Sequence, residues 1–394
     1  MPEEVSLPPE LWLEILEWVI LDARPLTAEY VRFQPISPHD TVPAASLVSA
    51  FSLVSKEWNT ILKALVVRDI KIHSNAKDLL EILKAPQPGR KQAAGTNGEL
   101  VRRVTLPFQT TVTVGGRGHS PYLGILRSCP TIEVLVRPAV EFERSMRDSL
   151  KFTYEPGMVD FPCLKRLEWW NESYGVNSSG VNSLGLVLQN APNLRYLVLA
   201  SFGEGSQAVT DEVPVDLPNL DTLRLNGVSA IPMFYIITRW NLPSLSRLIL
   251  DVPVIGPLFP QFSDLMGSQL QVLELGKHVR FMMKDEVCAY LRTCPNLKEI
   301  NYHVYFTAVP EPTDEVDVFP MVETVGLSSA SNMMVLAEDA RWEMVQGHIN
   351  FLAGKSLPRL KRVVLHGKWE MFDDASFQSL IKPLGARIEL WNGA

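Results

Sequence analysis

From about residue 100 onward, the apolar positions keep returning to one short pattern, P-x-L-x-x-L-x-L. It reads PCLKRLEW at 162–169, PNLRYLVL at 192–199, PNLDTLRL at 218–225, PSLSRLIL at 243–250, PNLKEINY at 295–302 and PRLKRVVL at 358–365. Weaker copies are VRRVTL at 101–106, PTIEVLV at 130–136, SQLQVLEL at 268–275 and PMVETVGL at 320–327, and ARIEL at 386–390 is a truncated last one. Counted from the first apolar position, the units begin at 101, 132, 164, 194, 220, 245, 270, 297, 322 and 360, in steps of 25 to 38 residues. The L-x-L alternation predicts a short strand in each unit. Between them, SPYLGILRSCP (120–130), SLGLVLQNAP (183–192), DEVCAYLRTCP (285–295) and HINFLAGKSLP (348–358) predict short helices, apolar at helical spacing and stopped by proline. A strand–helix unit of this length buries its apolar face only against its neighbours, which is the physics of a solenoid.

This series resembles the leucine-rich-repeat family, in its long, irregular form with helices on the convex side, over residues 98–394. The resemblance implies an α/β fold with a curved parallel sheet. The strand leucines, among them Leu197, Leu199, Leu223, Leu225, Leu248 and Leu250, should point inward. The positions between and beside them then line the concave face: Arg103, Thr105, Arg166, Glu168, Tyr196, Val198, Arg224, Arg247, Ile249, Glu274, Asn301, Arg362, Val364 and Glu389. Their mixture of charge, amide and apolar groups suits a protein or peptide partner better than a phosphate backbone. Arg166, Glu168, Trp170, Arg224 and Arg247 are the expected contacts to a target protein, because arginine and tryptophan dominate interface energetics.

Ahead of the series, LPPELWLEILEWVIL (7–21) opens as a helix should, with proline in the first turn and glutamate at the positive end. Leu11, Ile15 and Val19 share one face. Residues 22–44 hold four prolines (Pro25, Pro35, Pro38 and Pro43) and read as a surface loop, before AASLVSAFSLVSKEWNTIL (44–62) resumes helical spacing. The order L-P-x-E-L…I-L…L-V-S-K-x-W resembles the F-box family, whose members are substrate receptors of SCF-type ubiquitin ligases. Leu7, Pro8, Leu11, Ile15 and Leu16 match the opening of that motif, and Val54, Ser55 and Trp58 match its closing V-S-x-x-W. Family members join these helices with a few residues, whereas this chain inserts more than twenty. By the resemblance, the eight matched residues form the surface for the ligase's small adaptor subunit, with Leu7, Pro8 and Trp58 nearest to it, although some of them must also hold the helices together, so they cannot all face outward.

The expected organisation is a small helical F-box-like domain at 1–70 carrying the 22–44 insertion, a lead-in at 71–97, and the leucine-rich-repeat domain at 98–394. An alternative keeps the repeats but makes the protein a free-standing scaffold that regulates a partner, with the N-terminal helices as a cap on the solenoid end. Exposed apolar faces on 7–20 and 53–62 favour adaptor docking, and faces covered by the first units favour the cap.

Composition narrows the chemistry. Apolar residues make up 46% and charged ones 21%, ordinary globular usage, and the net charge of −7 argues against a nucleic-acid surface. Residues 1–70 carry ten acidic and five basic side chains, so most of the excess negative charge sits there. Cys129, Cys163, Cys288 and Cys294 form no CxxC pair, and RSCP and RTCP place Cys129 and Cys294 at equivalent helix ends, as inert core. The start of the chain lacks the basic opening of a secretory signal, and no run reaches the length of a membrane span. This composition predicts an intracellular protein, cytoplasmic or nuclear. GKS at 354–356 lacks the first glycine of a phosphate loop, since Ile349 stands there, and GGRG at 115–118 lacks the helix and acid of a dinucleotide fold. The seven histidines are scattered, with no H-E-x-x-H. No residue is expected to be catalytic, and no cofactor or metal is expected.

Overall fold

The computed structural model describes residues 8–21, 29–34, 45–72, 76–86, 95–106, 121–137, 158–170, 184–200, 214–226, 237–254, 261, 263–313 and 317–391. Among the described residues twelve strands follow one another in chain order: β1 (Asp69–Lys71), β2 (Arg103–Thr105), β3 (Val134–Arg137), β4 (Arg166–Trp170), β5 (Tyr196–Ala200), β6 (Thr222–Asn226), β7 (Arg247–Leu250), β8 (Val272–Leu275), β9 (Glu299–His303), β10 (Thr324–Ser328), β11 (Arg362–His366) and β12 (Arg387–Trp391). They form a single open sheet in which each strand neighbours the next, and the described pairings are parallel. The sheet starts earlier than the leucine pattern indicates. β1 lies ahead of residue 98, and its DIK sequence carries one apolar residue only, so nothing in the pattern marks it.

The chain divides into two compact units. The first takes in residues 1–29, 36–198 and 203–219, and the second residues 30–35, 199–202 and 220–394.

In the first unit, α1 (Pro9–Leu21), α2 (Ala45–Ser52) and α3 (Lys56–Arg68) come before β1. α3 passes into β1 with no intervening residue. α4 (Ala76–Lys84), α5 (Pro121–Ser128) and α6 (Leu184–Gln189) fall between later strands, as proline-terminated apolar runs should. Cys129 follows α5 and is buried, and burial pushes its thiol up to about 12, the behaviour of inert core.

The asparagine of the recurring P-N-L triplet has a structural use. Asn193 donates its side-chain amide to the carbonyl of Pro162 at 2.8 Å, and Asn219 donates to that of Pro192 at 3.0 Å. In the second unit, Asn296 reaches the carbonyl of Ser268 at 2.6 Å. Each ties a turn to the turn one unit before it, satisfying a loop carbonyl that no strand can reach.

In the second unit the register is uniform. Leu223, Leu248, Leu273, Ile300, Val325, Val363 and Ile388 stand in one row across seven strands. The row between the apolar ones holds Arg224, Ile249, Glu274, Asn301, Gly326, Val364 and Glu389. Alternation puts the two rows on opposite faces. Between and beside the strands lie α7 (Glu286–Thr293), α8 (Glu338–Ala353) and α9 (Ala375–Ile381). All six leucines expected to point inward are buried. Truncating such a side chain removes its transfer energy and leaves a cavity. Leu223→Ala or Leu248→Ala should therefore lower unfolding stability by about 2–5 kcal/mol in urea titrations. A change under about 1 kcal/mol, typical of a surface substitution, would contradict this packing.

Candidate functional site

Two surfaces carry the residues singled out by the sequence. The first is the helical segment of the first unit. Leu16, Leu62 and Leu65 form its sealed core, with Leu13, Val48, Phe51, Trp58 and Ile61 packed around them. The Trp58 ring lies 4.7 Å from that of Trp12 and 5.7 Å from that of Phe51. Ser55 is the N-cap of α3, and its hydroxyl accepts the Trp58 backbone N–H at 3.0 Å. The V-S-x-x-W spacing therefore follows from helix geometry: serine caps the helix, and tryptophan, three residues on, turns its ring into the helical core.

The matched residues thus split into two groups. Leu16 has no surface left for a partner, Ser55 works as a cap, and Trp58 is half-buried against other rings. Pro8 is exposed, and Leu7 lies outside the described residues. Leu11, Ile15 and Val19 are 45%, 43% and 47% exposed, a stripe at four-residue spacing along α1. Leu53 and Val54, at the junction of α2 and α3, are 86% and 60% exposed. Five large apolar side chains on one small helical segment exceed the scattered exposure that needs no explanation.

The second surface is the polar face of the sheet. Two of the expected target contacts lie in the first unit, where Arg166 and Glu168 are both buried. Arg166 donates to Glu168 at 2.8 Å and stacks 4.3 Å over the Tyr196 ring. The Trp170 side chain lies outside the described residues. In the second unit, Arg224 forks onto Asp251 at 2.7 and 2.8 Å, and Arg247 pairs with Asp221 at 3.1 Å. Arg166, Glu168 and Arg224 are therefore already engaged within the chain, and of the described contacts Arg247 retains the most exposure.

What engages this face in the second unit is a short stretch from the proline-rich segment between α1 and α2. Residues Tyr30–Gln34 lie as a strap on the polar rows. The Tyr30 hydroxyl donates to Glu274 Oε2 at 2.7 Å and accepts from Asn301 Nδ2 at 2.9 Å. The Phe33 backbone N–H donates to the same Glu274 oxygen at 3.0 Å. Arg32 makes a two-pronged pair with Glu299 at 2.6 and 2.7 Å. Arg224 donates to the Gln34 carbonyl at 2.6 Å. The Phe33 ring sits between two imidazoles, 4.7 Å from that of His303 and 4.8 Å from that of His366. The floor is shaped to match: at Gly326 a Cβ would stand 2.0 Å from Asn301 Oδ1, so only glycine leaves that amide its place.

The strap is held in a strained form. Gln34 N–H closes a turn onto the Val31 carbonyl at 3.3 Å, with Phe33 at its third position and a φ of 56°. That left-handed conformation suits glycine, and for a bulky side chain it costs on the order of 1–3 kcal/mol. Three buried atoms also find no hydrogen-bond partner among the described residues: Asn301 Oδ1, His303 Nδ1 and His366 Nε2. Each such loss is typically about 1–3 kcal/mol.

Burial shapes the charges here. Loss of water pushes the Glu274 carboxyl up to about 7, against the pull of nearby Arg224. The same desolvation, with Lys277 and Arg224 adding like charge, lowers His303 to about 3, and burial beside Arg32 lowers His366 to about 4. His348, buried on α8 with Nε2 3.2 Å from the Thr307 carbonyl, is also lowered to about 4 by burial. Among the described residues no group of three or more His, Cys, Asp or Glu is placed to hold a metal ion, and no helix is long and apolar enough to cross a membrane. Compared with known protein families and with curated proteins, the chain gives no match.

These shifts fix a pH response. Below about pH 6.5 an unfolded chain takes up protons on its histidines, while the folded one refuses them on His303, His366 and His348 until about 3 to 4. Their stabilisation is full above the ordinary histidine range and is lost as pH falls through that window. Glu274 acts oppositely, since between about 7 and its ordinary value of 4.5 the folded chain keeps a proton that the unfolded one releases. Three imidazoles outweigh one carboxyl, so Tm should fall between pH 6.5 and 5, and His366→Phe should flatten that slope. An unchanged Tm across the window would show that these imidazoles are not buried neutral.

Proposed function

We propose that this chain is the substrate-recognition subunit of an SCF-type ubiquitin ligase. The N-terminal helices dock on the ligase's small adaptor subunit, and the polar face of the leucine-rich-repeat sheet holds a target protein. The chain performs no chemistry itself. It raises the effective concentration of target near the transfer machinery, making the transfer nearly intramolecular.

The observation that carries this reading is the bare apolar stripe Leu11–Ile15–Val19 with Leu53 and Val54, on a helical segment whose own core is already closed by Leu16, Leu62 and Leu65. A partner that covered it would remove that apolar surface from water. The direct passage of α3 into β1 favours a second reading, in which the helices act only as a cap on a free-standing scaffold. The two readings differ over the exposed stripe, which a cap has no use for.

Surface and core positions separate in an adaptor pull-down. Leu11→Asp/Ile15→Asp should retain the wild-type Tm and lose adaptor capture more than tenfold, since anchors of this kind are typically worth about 2 kcal/mol or more. Leu16→Ala should instead lower Tm, as a core truncation does. Wild-type chain that never captures the adaptor, or a Leu11→Asp/Ile15→Asp variant that captures it as well as wild type, returns the helices to the cap role.

A further inference from the structure

The strap shows, atom by atom, what the polar face of the second unit is built to hold. It offers a tyrosine hydroxyl to Glu274 and Asn301, a guanidinium to Glu299, and an aromatic ring to the gap between His303 and His366. Glu274 is almost wholly buried, yet two of its hydrogen bonds come from this one external segment. A face that served only to close the molecule would match its cover fully. Here the cover is turned through a left-handed phenylalanine, and among the described residues Asn301 Oδ1, His303 Nδ1 and His366 Nε2 find no hydrogen-bond partner beneath it.

We infer that the polar face of strands β6 to β11 is a peptide-binding groove for a reverse turn of the form aromatic–x–Arg–aromatic from a protein partner, and that Tyr30–Gln34 occupies it in cis as a displaceable stand-in. The inference rests on the proposed reading of this face as the target surface, and not on adaptor docking. The class of partner follows from the contacts. Glu299 selects arginine, because a planar guanidinium meets a carboxylate with two parallel bonds where an ammonium meets it as a point. Glu274 and Asn301 together select a hydroxyl-bearing ring, which donates to one and accepts from the other. The imidazole pair selects a second aromatic ring. A partner whose turn reaches the left-handed position without strain, or which places donors and acceptors opposite the three unpaired atoms, holds the groove better than the strap does.

The test uses the full chain and a fluorescent peptide of residues 28–36, AEYVRFQPI, read by anisotropy. Arg32→Ala/Phe33→Ala weakens the strap and should bind the peptide at least tenfold more tightly than wild type. Adding Glu299→Gln to that variant should undo the gain, as should Arg→Ala in the peptide at the position of Arg32. A D-phenylalanine at the position of Phe33, which adopts a positive φ without strain, should bind more tightly than the L form. A folded strap variant that binds the peptide no better than wild type overturns the inference. If the strap variant does not fold, wild-type chain is irradiated with a peptide carrying a photoreactive ring at the Phe33 position. Crosslinks to β9 or β11 support the groove, and crosslinks elsewhere or none at millimolar peptide overturn it. Adaptor capture is measured on the same proteins, so loss of peptide binding with capture retained removes this inference alone.

Discussion

Glu274 lies in the middle of a parallel strand with its carboxylate shut away from water, and much of the second unit is arranged around that fact. A buried carboxylate needs hydrogen-bond donors or a partner charge. Arg224, close by on the sheet, supplies a favourable charge. Arg224 is committed to Asp251 and the Gln34 carbonyl, and the Asn301 amide goes to Tyr30 and Glu299. The donors come instead from a segment some 240 residues away in sequence, the Tyr30 hydroxyl and the Phe33 N–H. Bringing both to one oxygen requires the chain to turn between them. Phe33 takes the left-handed position in that turn, and its ring falls between His303 and His366. The raised carboxyl and the lowered imidazoles are two results of the same exclusion of water.

The sheet was legible because its signal is local and recurrent. Most strands announce themselves by an alternating apolar pair, often after a proline, and the spacing leaves room for one short helix, so the parallel order follows without long-range information. β1 was not legible, since DIK holds one apolar residue and is recognised only by its pairing with β2. The buried Arg166–Glu168 pair was misleading for a related reason. Alternation assigns a residue to a face, but says nothing of what stands in front of that face. The strap was hidden in the same way. Tyr-x-Arg-Phe within a proline-rich loop carries two aromatics and a cation where turn residues alone would serve, which is a faint compositional sign. The partner of each lies more than 240 positions away, out of reach of any periodicity.

The N-terminal helices show how a motif can join two demands. In α1, Leu16 faces inward while Leu11, Ile15 and Val19 face out, so one helix closes a core and offers a stripe. The resemblance alone does not say which matched residues hold the helices together and which face outward. Ser55 and Trp58 explain why the helices stand as they do, which makes their spacing a folding requirement before it is a binding one.

A ligand carried on the same chain never has to diffuse to its site. Linking a ligand to its site makes binding intramolecular, with an effective concentration that can reach the order of millimolar. A rival arriving at micromolar abundance thus starts about a thousandfold behind and has to recover that deficit in intrinsic affinity, roughly 4 kcal/mol. The awkward backbone at Phe33 and the unpaired groups beneath it reduce this handicap. Chance encounters with arginine-bearing peptides are turned away, and the groove yields only to a sequence that fits it substantially better than its resident. Residence on the same chain and the strain in one residue together act as a threshold on affinity.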